Sequence, residues 1–164
     1  MHDLQIRPAD ESDVPLILDF IRRLAEYERR PQDVTATEDQ LRETLFGARP
    51  AAEVLLAYWN GESAGFAVYF GTYATFAAQA GIYLEDVYVH PHLRGKGIGS
   101  ALMRRVAEIA VERGGRRMDW SVLDWNEPAI QYYRNLGAEP VSGVVKFRLR
   151  GAAFDRLALK ATGA

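Results

Sequence analysis

The chain of 164 residues contains no cysteine. That excludes disulfide cross-links and a thiol nucleophile, and it removes the thiolates that most structural zinc sites use. Histidine is scarce as well. His90 and His92 flank Pro91, and two histidines without a thiolate make a poor metal site, so no metal is expected. No apolar run approaches the roughly 20 residues of a membrane-spanning helix, so no membrane association is expected. The opening Met1-His2-Asp3-Leu4 has neither the basic nor the apolar region of a secretory signal, which makes the cytoplasm the expected location. A formal net charge of −2 gives no general attraction to nucleic acid.

What is present fits one soluble domain spanning residues 1–164, with hydrophobic residues at 48% and charged residues at 26%. Gln5–Pro8 reads as a short strand. Ser12 or Asp13 caps a helix carrying Val14, Ile17, Leu18, Ile21 and Leu24, closed by Arg30-Pro31. Thr37 to Gln40 fits a capping box for a second helix through Leu45. Asn60-Gly61 joins strands Val54–Trp59 and Ala64–Tyr73 as a hairpin. Strand Ile82–Val89, helix Gly97–Arg113, strand Met118–Val122 and helix Asn126–Leu136 follow. A late strand, Val144–Leu149, and a helical turn near Phe154 complete the pattern. The class is α/β (α+β): antiparallel strands early, then a strand-helix-strand-helix unit.

Charge is uneven. From Asp10 to Glu43 ten residues are acidic and five basic, whereas from Arg94 to Asp119 seven are basic and three acidic. The first stretch can draw a cation and the second can hold phosphates, although two solvated helix faces would give the same counts. Within the basic stretch, Arg94-Gly95-Lys96-Gly97-Ile98-Gly99-Ser100 links the strand ending Val87-Tyr88-Val89 to a helix. Alternate glycines admit close backbone approach, and a helix start offers free N–H groups and the positive dipole end, which together make an anion site. Ser100 and Ala101 do not complete a P-loop. Ser100 also stands where a dinucleotide fingerprint needs Gly or Ala, which disfavours an oxidoreductase.

Arg94-x-x-Gly97-x-Gly99 after that strand resembles the acetyl-CoA loop of the GNAT acetyltransferase superfamily. Tyr83-Leu84-Glu85-Asp86, Gly97-Ile98-Gly99-Ser100 and Asp124-Trp125-Asn126-Glu127-Pro128 are similar to the diamine acetyltransferases, the spermidine/spermine and thialysine enzymes. The likeness runs from Ile6-Arg7-Pro8-Ala9 through Leu24 to Glu28 and on to Tyr133 and Gly137-Ala138. It implies a central mixed, mostly antiparallel sheet flanked by helices, and transfer of an acetyl group from acetyl-CoA to the primary amine of a small molecule. It implies acetyl-CoA on Val87, Tyr88, Val89 and Arg94 to Ser100 with Asn126 beside it, and an acceptor on Tyr27, Glu28, Glu85 and Asp86. Tyr133 would protonate the leaving thiolate, and Glu85 would take the amine proton through water. A homodimer is implied as well, and the apolar stretch Tyr69 to Phe76 hints at one. An idle CoA-binding sensor and a protein N-acetyltransferase remain alternatives.

The residues also constrain the site directly. Seven helical steps bring Tyr133 back to the direction of Asn126, whereas Tyr132 points elsewhere. Glu85 and Asp86 adjoin on a strand, so simple alternation puts them on opposite faces. Likeness to the polyamine enzymes fades at Ala74 to Ala78, where Thr75 and Phe76 replace an acidic residue and a tryptophan, and at Val141 to Val145. A long polycation wants several carboxylates along its track. The losses favour a smaller amine such as thialysine or lysine.

Overall fold

Local capping signals place the first helices of the computed structural model, which describes residues 3–159. Asp10 and Asp13 form a capping box just before helix α1, Val14–Tyr27, and Thr37 with Gln40 forms another before α2, Glu38–Phe46. Asp13 is the buried charged residue of this region, and Arg7 neutralises it with two hydrogen bonds of 2.7 and 2.8 Å. Arg7 also donates to the Tyr58 hydroxyl at 2.9 Å. That fork ties strand β1, Leu4–Pro8, and strand β2, Glu53–Trp59, to the start of α1.

Strand β3, Glu62–Ala74, returns from β2 through Asn60 and Gly61, whose φ values of 51° and 82° suit a two-residue hairpin. β4, Gln79–Val89, pairs with β3, and β5, Met118–Trp120, closes the order β1-β2-β3-β4-β5. All neighbours are antiparallel except β4 and β5. One face packs on α1 and α2 through Val14, Ile17, Phe20, Leu56, Phe66 and Tyr88. Phe20 stacks on Phe66 with 5.2 Å between centroids, and each buried ring contributes roughly 1.5–3 kcal/mol. Helix α3, Ile98–Glu112, packs against β4, β3 and β2 and buries Ile98, Leu102, Val106 and Ile109. Gly65 permits a close approach in the sheet, because a Cβ there would lie 2.3 Å from the Tyr88 carbonyl oxygen.

The described residues form two compact units, one ending at Leu123 and one beginning at Asp124. The second holds α4, Glu127–Asn135, and α5, Ala152–Leu159, which extends the helical turn expected near Phe154. The expected strand Val144–Leu149 is not formed. Its alternation of Val145, Phe147 and Leu149 with Lys146, Arg148 and Arg150 reads as a half-buried strand. Strand preference, however, is realised only against a paired neighbour, and none of the five strands pairs with this segment. Its side chains are exposed, Phe147 at 91%. β5 is also shorter than expected, ending at Trp120 instead of Val122. It pairs with β4 only over Ile82 to Leu84, where β4 loses its regular register.

Candidate active site

That irregularity is a β-bulge. Val68 opposes Asp86 and Tyr69 opposes Leu84, which leaves Glu85 as an extra residue in β4. The extra residue interrupts the regular alternation along β4. Asp86 shares the face of Val68, Phe66 and Tyr88, opposite to Leu84. Glu85 is exposed and Asp86 half-buried.

Glu28, the C-cap of α1, completes a cluster with the two acids of β4. Burial raises the Asp86 carboxyl to about 7, helped by the charges of Glu85 and Glu28. Burial also raises Glu28, with Arg30 opposing and Glu85 adding to the rise. Glu28 borders a cavity of about 270 Å³ with Ile21, Ala25 and Val34. Among the described residues no group of His, Cys, Asp or Glu gathers closely enough to hold a metal ion. The charges of the three carboxylates influence one another.

The glycine loop follows β4 through a 3-10 turn at Pro91–Leu93. Gly95 and Gly97 have φ of 75° and 80°, a region that side-chain-bearing residues occupy at a cost, and Gly97 is the N-cap of α3. Added Cβ atoms at Gly95 and Gly97 would meet nothing within 4 Å, and one at Gly99 only Val89 Cγ2 at 3.7 Å. The Ile98 and Gly99 N–H groups lie in the first helical turn and have no intrahelical acceptor. Beside this loop, β4 beyond Leu84 has no paired strand on the β5 side among the described residues. An open cradle at a helix start next to an unpaired strand edge fits a phosphate-bearing ligand with an amide-containing arm.

The structure thus brings Tyr27, Glu28, Glu85, Asp86 and Tyr88 together with the loop. Arg94 and Lys96 both lie against aromatic rings. The Arg94 guanidinium carbon sits 4.7 Å from the Tyr27 ring centroid and 5.7 Å from that of Tyr88, and its Nε donates to the Val89 carbonyl at 3.0 Å. Lys96 Nζ lies 5.8 Å from the Trp59 ring. His90 packs on Phe20 and on His92, with burial lowering its pKa, and His92 meets Glu62 at 2.7 Å. In the second unit, Asn126 takes the N-cap position of α4 without a side-chain capping bond. Tyr132 and Tyr133 lie edge to face at 5.6 Å. Sequence reasoning missed the bulge, the sharing of charge with Glu28 and the folding back of Arg94. All three depend on neighbours remote in the chain.

The acetyltransferase (GNAT) family matches residues 18–138. A thialysine N-epsilon-acetyltransferase of Sus scrofa is 39% identical over 171 residues, covering 98% of this chain and all of that protein. An L-ornithine N5-acetyltransferase of Arabidopsis thaliana is 30% identical, covering 93% of this chain and 87% of that one. Among solved structures, an integron cassette protein from V. cholerae superposes with a TM-score of 0.79 at 25% identity, covering 95% of this chain and 98% of its own.

Proposed function

Because the chain belongs to the GNAT family of acetyltransferases, we propose that it acetylates the side-chain amine of a small amino acid resembling thialysine or ornithine. The protein is an N-acetyltransferase that uses acetyl-CoA as co-substrate. The observation that carries the acceptor reading is the cluster of Glu28, Glu85 and Asp86 at the bulge. Three carboxylates attract one compact ammonium group, and Thr75 and Phe76 offer no further acid to extend a polyamine track.

The cradle fits the coenzyme. Gly95 to Ser100 would hold its phosphates on backbone N–H groups. The unpaired edge of β4 at Val87 to Val89 would take the pantetheine arm. A strand N–H such as that of Val87 would stabilise negative charge developing on the thioester oxygen. An alkylammonium with a pKa near 10 has to lose a proton before its nitrogen can attack. Glu85 would take that proton through water. Asp86 beside it, poised near neutrality, would share the proton within the cluster. The amine nitrogen bonds to the acetyl carbon, the carbon–sulfur bond breaks, Tyr133 would give its phenolic proton to the thiolate, and the second proton that the nitrogen sheds on becoming an amide would restore the phenol. No cysteine exists to carry a thioester acyl-enzyme, and direct transfer is the simpler route.

We further assign the whole chain to one catalytic domain acting as a cytoplasmic homodimer. Supporting the dimer are the exposed Tyr73 and Phe76 beyond the buried part of β3, and the exposed Val144, Val145 and Phe147. No helix among the described residues is long and apolar enough to cross a membrane. The test is a comparison of initial rates with thialysine, ornithine, lysine and spermidine at fixed acetyl-CoA. Thialysine or ornithine should exceed spermidine in kcat/KM, and the reverse order would overturn the acceptor assignment.

A further inference from the structure

Arg94 opens the glycine loop, yet its side chain runs back toward the strand it follows. Its Nε donates to the Val89 carbonyl, and its planar face lies over Tyr27 and Tyr88. Tyr88 belongs to the core cluster and packs on Phe20. Tyr27 is the last residue of α1, and the next residue is the C-cap Glu28. One guanidinium therefore pins the end of α1 to the end of β4, the two segments whose acids form the carboxylate cluster. A planar cation suits this place. It donates along its edge while stacking through its face, which an ammonium does poorly.

We propose that Arg94 is a positioning residue for the amine acceptor: through Tyr27 it holds Glu28 in place opposite Glu85 and Asp86, and it is not the phosphate ligand that its place in the loop suggests. The inference rests on the acceptor reading above for its choice of substrate, but not for its statement about acetyl-CoA. The phosphates depend on the backbone of Gly95 to Gly99. Loss of the Arg94 side chain loosens the last turn of α1 and spares the coenzyme.

The experiment measures KM for thialysine and, separately, Kd for acetyl-CoA by titration calorimetry, in the full chain carrying Arg94→Met, Tyr27→Leu or both. Arg94→Met should raise the thialysine KM about tenfold, the scale of a lost cation–π contact with its hydrogen bond, and change the acetyl-CoA Kd by less than about threefold. Tyr27→Leu should copy it, and the double variant should be no worse than the worse single one. An acetyl-CoA Kd weakened about threefold or more by Arg94→Met, an unchanged thialysine KM, or additive single effects would overturn the proposal. If Arg94→Met does not fold, Arg94→Lys keeps the charge without the planar fork and is judged by the same thresholds. Failure of the parent to use thialysine would sink the acceptor reading alone. The acetyl-CoA Kd of the Arg94 variant then decides this one.

Discussion

Replacing Asp86 by Asn should stabilise the protein at alkaline pH and not at acidic pH. The folded protein raises this carboxyl from 3.8 to about 7, chiefly by burial and secondarily through the charges of Glu85 and Glu28. In the unfolded chain the group releases its proton near its ordinary value. As pH rises from about 4 to 7, the unfolded chain has already lost the proton that the folded chain still holds, so unfolding becomes progressively easier. Below the unfolded pKa the group is neutral in both states, and above the folded pKa the penalty is complete. Each unit corresponds to about 1.4 kcal/mol, so a displacement of about three units is at most about 4 kcal/mol, and partial solvent access brings it to about 2–4 kcal/mol. An amide is neutral throughout and escapes the penalty. Urea unfolding followed by tryptophan fluorescence at several pH values from 4.5 to 8.5 gives the difference between Asp86→Asn and the parent. It should be at most about 1 kcal/mol at pH 4.5 and grow to about 2–4 kcal/mol in favour of the variant by pH 8.5. Glu28→Gln removes one of the two raising charges and should lessen the growth. A difference independent of pH would refute the burial of Asp86 and the reading of the bulge as a proton-holding site. The gain in stability should come with weaker use of the acceptor, because the variant removes a group that attracts the ammonium.

Other consequences concern the two ends of the proton path and the loop. Tyr133→Phe should lower kcat by up to about 10²-fold with acetyl-CoA affinity little changed, while Tyr132→Phe stays near the parent; greater damage from Tyr132→Phe in steady-state assays would unseat the acid assignment. Glu85→Gln should depress rates most below the pKa of the amine and least at high pH, where neutral amine is abundant, so a flat ratio across a pH–rate profile would count against its role as base. Gly97→Val places a β-branched residue at φ 80° in open space, so it should lose at least about 1–2 kcal/mol of stability through its backbone and also weaken acetyl-CoA. A folded Gly97→Val protein that binds the coenzyme like the parent would remove the loop from the site. Light scattering at micromolar concentration should report a dimer, and a monomer there would refute the assembly.

Much of this was legible where the signal is local. Asn60-Gly61 makes its hairpin because both residues tolerate positive φ, and α1 shows its buried face in the spacing of Val14, Ile17 and Leu18. The glycine loop is legible for the same reason, since Gly97 answers to its own backbone angle. The bulge at Glu85 is not, because register is settled by pairing with Val68 and Tyr69 across the sheet. Strand preference misled at Val144 to Leu149, where alternation is present and a partner strand is absent. Arg94 shows the same limit in a side chain: its contact with the Tyr27 ring at the end of α1 depends on a residue remote in the chain.

The central claim is direct acetyl transfer from acetyl-CoA to a small amine. The most direct measurement incubates the protein with acetyl-CoA labelled with ¹³C at the carbonyl and with thialysine, and follows the label by NMR and by intact-protein mass spectrometry. The label should move into an amide on the thialysine side chain, with one CoA thiol released per amide formed and no acetylated protein at any time. Label recovered as acetate, or held on the protein before any amide forms, would contradict the account.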